Sequence, residues 1–252
     1  MNKTRLSLIA ASVILACNTA MAGEHGHGAA HWTYSGETGP EHWGDINPTC
    51  SAGVQQSPIN IDAKSALEAG LDTIKFNYKS SPLTIVNNGH TIQANYAPGS
   101  SITVKGKTYE LLQFHFHAPS EHTIDAKAHD MEVHLVHKAA DGDLAVVGVM
   151  LDQGQANATL APIWKDMPHE VATKEINGAT INAADLLPKN PEKYYHYMGS
   201  LTTPGCNEVV NWYVMKSGIS VAQDQVKGFV DTVGTNARPV QPLNRRFVLT
   251  HE

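Results

Sequence analysis

Two histidines two residues apart, in Gln113-Phe114-His115-Phe116-His117, are the residues best placed to do chemistry. Strand alternation puts Gln113, His115 and His117 on one face and Leu112, Phe114 and Phe116 on the other. The run Met131-Glu132-Val133-His134-Leu135-Val136 alternates in the same way, with Glu132, His134 and Val136 sharing a face. If the two runs pair as antiparallel neighbours, three imidazole nitrogens converge on one point. A catalytic zinc site needs such a set, with a fourth position left for water. The same residues would also serve as scattered polar positions on a solvated sheet face, and spacing alone leaves both readings open.

The elements that must position these residues are mostly strands. Short alternating runs cover 74–78, 83–87 and 91–96, broken by Ser-Pro and Asn-Asn-Gly turns. Hairpins are expected from 102–104 into 108–117 across Lys105-Gly106-Lys107, and from 131–138 into 144–151 across Asp141-Gly142. The unbroken apolar run Leu144 to Met150 reads as a strand buried on both faces. Further strands are expected at 194–200 and 208–215, and an extended or irregular tail after Pro239. Helices are few: one over 160–167, and one over 220–232 with Ser220 as N-cap and Gln223 completing a capping box. The aromatic stretch from His31 to Trp43 has no period and should pack down as irregular structure. The expected architecture is one mainly β domain with small peripheral helices.

Composition narrows the function classes. A formal net charge of -6 with histidine neutral argues against nucleic acid and anionic membrane surfaces as partners. The first 22 residues read as a secretory signal peptide, with Lys3 and Arg5, an apolar centre, and Ala20-Met21-Ala22 as cleavage signal. Ile14-Leu15-Ala16-Cys17 also resembles a lipoprotein processing site, which would leave Cys17 lipidated. Residues 23–30, including His25 and His27, read as a flexible segment, and 31–252 as the single folded domain. No apolar run in the mature chain is long enough to span a membrane. Removal of the signal leaves Cys50 and Cys206, which are expected to pair in an oxidising compartment, periplasmic or extracellular.

Several motifs in one order carry a family resemblance: Gly39-Pro40-Glu41-His42-Trp43, Gln56-Ser57-Pro58-Ile59-Asn60, Asn87-Asn88-Gly89-His90, Gln113 to His117, Glu121-His122-Thr123, Glu132-Val133-His134, Leu201-Thr202-Thr203-Pro204, and Asn236 to Leu243. The chain resembles the exported bacterial α-class carbonic anhydrases from His31 to its end. The resemblance implies a large, twisted, mostly antiparallel sheet with the metal in a conical cleft. It implies reversible CO2 hydration to bicarbonate by hydroxide on a zinc ion held by His115, His117 and His134. Zinc lowers the pKa of its water to about 7, a value for which carbonic anhydrase is itself the standard example.

The other roles implied by the resemblance can be set beside their chemistry. Gln113, Glu132 and the main-chain carbonyl of Asn236 would orient the ligand rings. Thr202 would donate to Glu121 and accept from the nucleophile, and its backbone N–H would hold the anion. His90 matches the proton shuttle, and an imidazole titrating near neutrality suits that task. Tyr34 matches a cleft tyrosine that orders water, and Thr203 lies beside the substrate. Val136, Val146, Leu201, Val210 and Trp212 match the apolar wall where CO2 waits. Cys50 and Cys206 match the disulfide of exported members, and sulfonamides and anions are expected as inhibitors. Two alternatives stand beside this reading. His115-x-His117-x-x-x-Glu121 fits a cupin-type metal motif with Glu121 as a ligand, and a periplasmic zinc-binding protein would need no catalysis.

Overall fold

The computed structural model describes residues 31–251. The expected signal peptide, Cys17, and the 23–30 segment with His25 and His27 lie outside the described residues. No helix among the described residues is long and apolar enough to cross a membrane.

A 13-stranded sheet forms the body of the protein. At its centre the strand Lys107–His117 pairs antiparallel with Met131–Ala139, which pairs antiparallel with Leu144–Gln153. Leu144–Gln153 then pairs parallel with Val210–Met215, and that strand pairs antiparallel with Tyr194–Gly199. On the other side of Lys107–His117 come Ile92–Asn95, Ser81–Asn87 and Ala172–Ile181, all antiparallel. Lys105 (φ 52°) and Gly106 (φ 76°) both have positive φ, so a tight turn feeds Ser101–Val104 into Lys107–His117 at the expected place.

The sheet separates two apolar layers. Phe114 and Phe116 point away from the histidines and are fully buried. Phe116 meets Trp164 and Phe229 edge-on, at 4.9 and 6.4 Å between ring centroids. These two rings come from the helices Ala161–Asp166 and Gln223–Val233. Each buried phenylalanine contributes roughly 2–3 kcal/mol, so this layer anchors the strand whose other face carries His115 and His117. Leu144–Gln153 is buried on both faces as expected. Ala145, Val147, Val149 and Leu151 join the helix-side layer, and Val146 and Met150 the opposite one.

Several local expectations are corrected. Leu112 does not share the face of Phe114 and Phe116: it is 41% exposed, and Leu111 is buried instead. The pairing with Met131–Ala139 shifts register between Leu111 and Gln113, so a bulge moves the alternation by one residue. Ser220 lies in the strand Ile219–Val221 and does not cap the helix. The helix opens at Ala222, whose N–H donates to Gln225 Oε1 at 3.1 Å. Ala172–Ile181 is a strand that alternation missed, because its register breaks between Glu175 and Thr180 and most of it is exposed. The tail after Pro239, by contrast, is irregular and then extended as expected, with Leu249–His251 joining the sheet beside Tyr194–Gly199.

His137 sits fully buried in the helix-side layer. Its Nε2 lies 2.8 Å from the Tyr78 hydroxyl and its Nδ1 3.2 Å from the Ala145 carbonyl. Burial holds its pKa down to about 4. The unfolded chain, with a histidine near 6.5, therefore takes up the proton first, and stability falls as pH drops from 6.5 towards 4. Between pH 7 and pH 5 a His137→Gln variant should lose about 2 kcal/mol less stability than wild type in urea unfolding. Equal losses in the two proteins would contradict this role for His137.

Candidate active site

The central strand pair brings the three histidines together. Register places His115 opposite His134, Gln113 opposite Val136 and His117 opposite Glu132. One ring nitrogen from each of His115, His117 and His134 lies within 4.8 Å of the others. His117 and His134 are buried and His115 is half-buried. Burial lowers the pKa of all three, that of His117 to about 4, so all are neutral with lone pairs available at neutral pH.

The second nitrogen of each ring is engaged. His115 Nδ1 bonds Gln113 Oε1 at 2.9 Å, and His117 Nδ1 donates to the Asn236 carbonyl at 2.8 Å. His134 Nε2 bonds Glu132 Oε1 at 2.9 Å. That leaves His115 Nε2, His117 Nε2 and His134 Nδ1 for the centre. His117 Nε2 is buried without a hydrogen-bond partner, which is costly unless something else fills the site. A trio of neutral imidazole nitrogens with one orphaned lone pair fits zinc or a similar borderline transition ion, and does not fit calcium or magnesium.

Glu132 does more than hold one ring. Its Oε1 also receives His122 Nδ1 at 2.8 Å, and its Oε2 receives the backbone N–H groups of Glu121 and His122, both at 2.9 Å. Burial alone raises a carboxyl pKa, but the two imidazoles and their hydrogen bonds outweigh it and hold Glu132 well below the usual range. Gly148 lies opposite His134, and a Cβ there would stand 2.8 Å from Glu132 Oε1, so only glycine leaves room. His122, Glu132 and His134 also lie close enough to hold a metal, yet three ring nitrogens of that cluster are committed to hydrogen bonds. His122 Nε2 lies 2.6 Å from the Tyr197 hydroxyl, which lies 2.9 Å from Ser57 Oγ.

Glu121 is buried. Its Oε1 accepts from the Arg238 backbone N–H at 2.9 Å, while its Oε2 has no hydrogen-bond partner and lies 3.9 Å from His134 Nδ1. Burial pushes its pKa up to about 7, opposed by His134 and by the neighbouring Thr202 side chain. It does not join the His115, His117 and His134 group, so the cupin-type ligand set is not formed.

His115, His117 and His134 floor a cleft of about 220 Å3. Tyr34, His90, Gln113, Thr202 and Thr203 line it on polar sides, and Val136, Val146, Leu201 and Trp212 form an apolar wall. Val210 is not in that wall. Fully buried, it packs in the same apolar cluster as Val146 and Trp212 without itself lining the cleft. His90 stacks on Trp32 with centroids 3.6 Å apart and planes 7° apart, and burial followed by nearby His31 lowers its pKa. Burial, then Glu121, raises Tyr34 well above the usual phenol range, so its hydroxyl keeps its proton. Cys50 and Cys206 form a disulfide, and Cys206 N–H donates to the Thr203 carbonyl at 2.9 Å. Trp32, His122 and Arg238 are contributors that strand alternation could not reveal, because all three sit outside regular strands.

The sequence matches the family model for eukaryotic-type carbonic anhydrase over residues 38–252. The chain belongs to the α-carbonic anhydrase family. It is 43% identical to a carbonic anhydrase of Neisseria gonorrhoeae over 97% of both chains. It is 44% identical to one from Nostoc sp., covering 87% of this chain and 85% of that one. The solved α-carbonic anhydrase of Thermovibrio ammonificans, in complex with the inhibitor sulfanilamide, matches with a TM-score of 0.85 and 44% identity, over 88% of this chain and 100% of that one. α-Carbonic anhydrases are zinc enzymes in general, and the three histidines here could hold such an ion.

Removing one acceptor tests this arrangement. Gln113→Ala should weaken zinc binding roughly 10–100-fold in chelator competition at fixed pH. An unchanged affinity would make Gln113 an ordinary polar strand residue.

Proposed function

We propose that the protein is a zinc enzyme that catalyses reversible hydration of CO2 to bicarbonate and a proton. The observation that supports it most is the convergence of three neutral imidazoles, each with its second nitrogen engaged, beside a buried carboxylate with one open oxygen. His115, His117 and His134 would hold the zinc, whose Lewis acidity makes hydroxide available near neutral pH.

The remaining work falls to the chain's own residues. Val136, Val146, Leu201 and Trp212 offer CO2 a surface with which it makes no competing hydrogen bond. Thr202 donates its hydroxyl proton to Glu121 Oε2, the acceptor otherwise left open in the interior. The Thr202 oxygen can then only accept, so it admits a donor and turns that donor's lone pair towards the apolar wall. The Thr202 N–H and Thr203 steady the product anion. Tyr34, held neutral, orders water across the cleft.

His90 takes the proton on an imidazole nitrogen. Stacking on Trp32 engages its ring face, and His90 is only half-buried at the cleft, a position from which the ring can exchange a proton with water and buffer. A zinc store would have no use for this set of Thr202, Glu121 and His90. The Cys50–Cys206 bridge and the expected signal peptide support export to the periplasm or beyond. Sulfonamides and small anions are proposed as inhibitors at the same site.

Stopped-flow CO2 hydration should be fast with zinc-loaded protein and absent in metal-stripped protein and in His117→Ala. A folded, zinc-loaded protein inert towards CO2 would sink the proposal. His90→Ala should slow turnover about 100-fold in dilute buffer, the lower end of the range for a lost proton-transfer group, and added imidazole should restore it. An unchanged rate would remove His90 from the proton path.

A further inference from the structure

Arg238 is a buried cation that does not line the cleft. It is 2% exposed, and its guanidinium meets only neutral acceptors: Nη1 donates to Gln56 Oε1 at 2.9 Å and the Ser57 carbonyl at 2.8 Å, and Nη2 to the Cys50 carbonyl at 3.1 Å. The guanidinium also stands over the Trp43 ring, 5.5 Å from its centroid. No ion pair to Arg238 occurs among the described residues. The Glu121 carboxylate acts on this charge only through space, without a direct contact to the guanidinium. Burying a charge so weakly offset costs several kcal/mol that a well-packed apolar residue would avoid.

What this planar fork achieves is rigidity of its own backbone. Three acceptors and an aromatic face hold the side chain, so the Arg238 N–H has a fixed direction. That N–H donates to Glu121 Oε1 at 2.9 Å and leaves Oε2 as the open oxygen. The acceptors come from the Cys50 to Ser57 segment, where Gln56 Nε2 also donates to the Cys206 carbonyl at 3.0 Å.

We propose that Arg238 is a positioning residue: by fixing the N–H that aims the Glu121 carboxylate, it sets the preference of Thr202 for ligands that donate a hydrogen bond. The inference rests on the reading of Thr202 and Glu121 given above. If Glu121 is free to turn, the Thr202 proton is no longer committed, and its oxygen no longer discriminates donors from non-donors. Ligands without a donor keep their binding, because they never used that oxygen.

The test compares sulfanilamide, whose sulfonamide nitrogen can donate, with thiocyanate, which cannot. Zinc-loaded wild type, Arg238→Lys and Gln56→Met are titrated with both, with zinc content and melting temperature measured alongside. Arg238→Lys should bind sulfanilamide at least 10-fold more weakly and thiocyanate within about 3-fold of wild type, with kcat for CO2 falling more than KM changes. Gln56→Met, which removes one of the three acceptors, should show the same selective loss to a smaller degree, and it carries the test if Arg238→Lys does not fold. Parallel weakening of both ligands, or no change in either, would overturn the inference while the CO2 reading stands. A wild type that hydrates no CO2 overturns the reading of the site, and this inference with it.

Discussion

A buried imidazole has two nitrogens, and aiming one of them means holding the other. This need for three acceptors at fixed positions governs how the chain is arranged around the site. Left unpaired, a buried polar nitrogen costs about 1–3 kcal/mol, and the ring loses its direction as well. The protein meets the need with three different groups: an amide oxygen from Gln113, a carboxylate from Glu132 and a main-chain carbonyl from Asn236. Two of these arrive on the ligand strands themselves. The third must come from the far end of the chain, and Asn236 is tied in by its own side chain, which bonds Ala118 N–H and the His90 and Phe116 carbonyls.

Glu132 shows how one charge can serve several elements. Two imidazoles and two backbone N–H groups converge on it, so the strand carrying His134 and the loop carrying Glu121 share one anchor. The geometry leaves no space on the neighbouring strand, which explains the glycine at position 148 within an otherwise bulky apolar run. On the opposite side of the sheet the phenylalanines and the two helices do the complementary work. They keep the ligand strands from rotating, because turning the histidines outward would expose Phe114 and Phe116.

Features encoded within a few residues were legible in the sequence. The faces of Gln113, His115, His117, Glu132 and His134 follow from alternation, and the double burial of Leu144–Gln153 from an unbroken apolar run. Leu112 failed because a bulge adds one residue, and alternation has no memory across such an insertion. Ser220 failed because the strand beside Leu144–Gln153 claimed it, a tertiary demand that outranks a local capping signal. Arg238 and His122 carry no periodic signal, since what matters is which atoms they meet after folding.

The distance along the chain between partners has its own consequence. His115 and His134 belong to adjacent strands close in sequence, whereas His117 and Asn236 are 119 residues apart. Loop-closure entropy makes the second meeting about 1.6 kcal/mol harder than the first. A chain is also made from its N-terminus, so both ligand strands exist before residue 236 emerges. The three-histidine centre is thus set out early and trued late: His117 is the last of the three rings to receive its acceptor, and a chain cut short before Asn236 would carry every ligand yet lack the carbonyl that aims one of them.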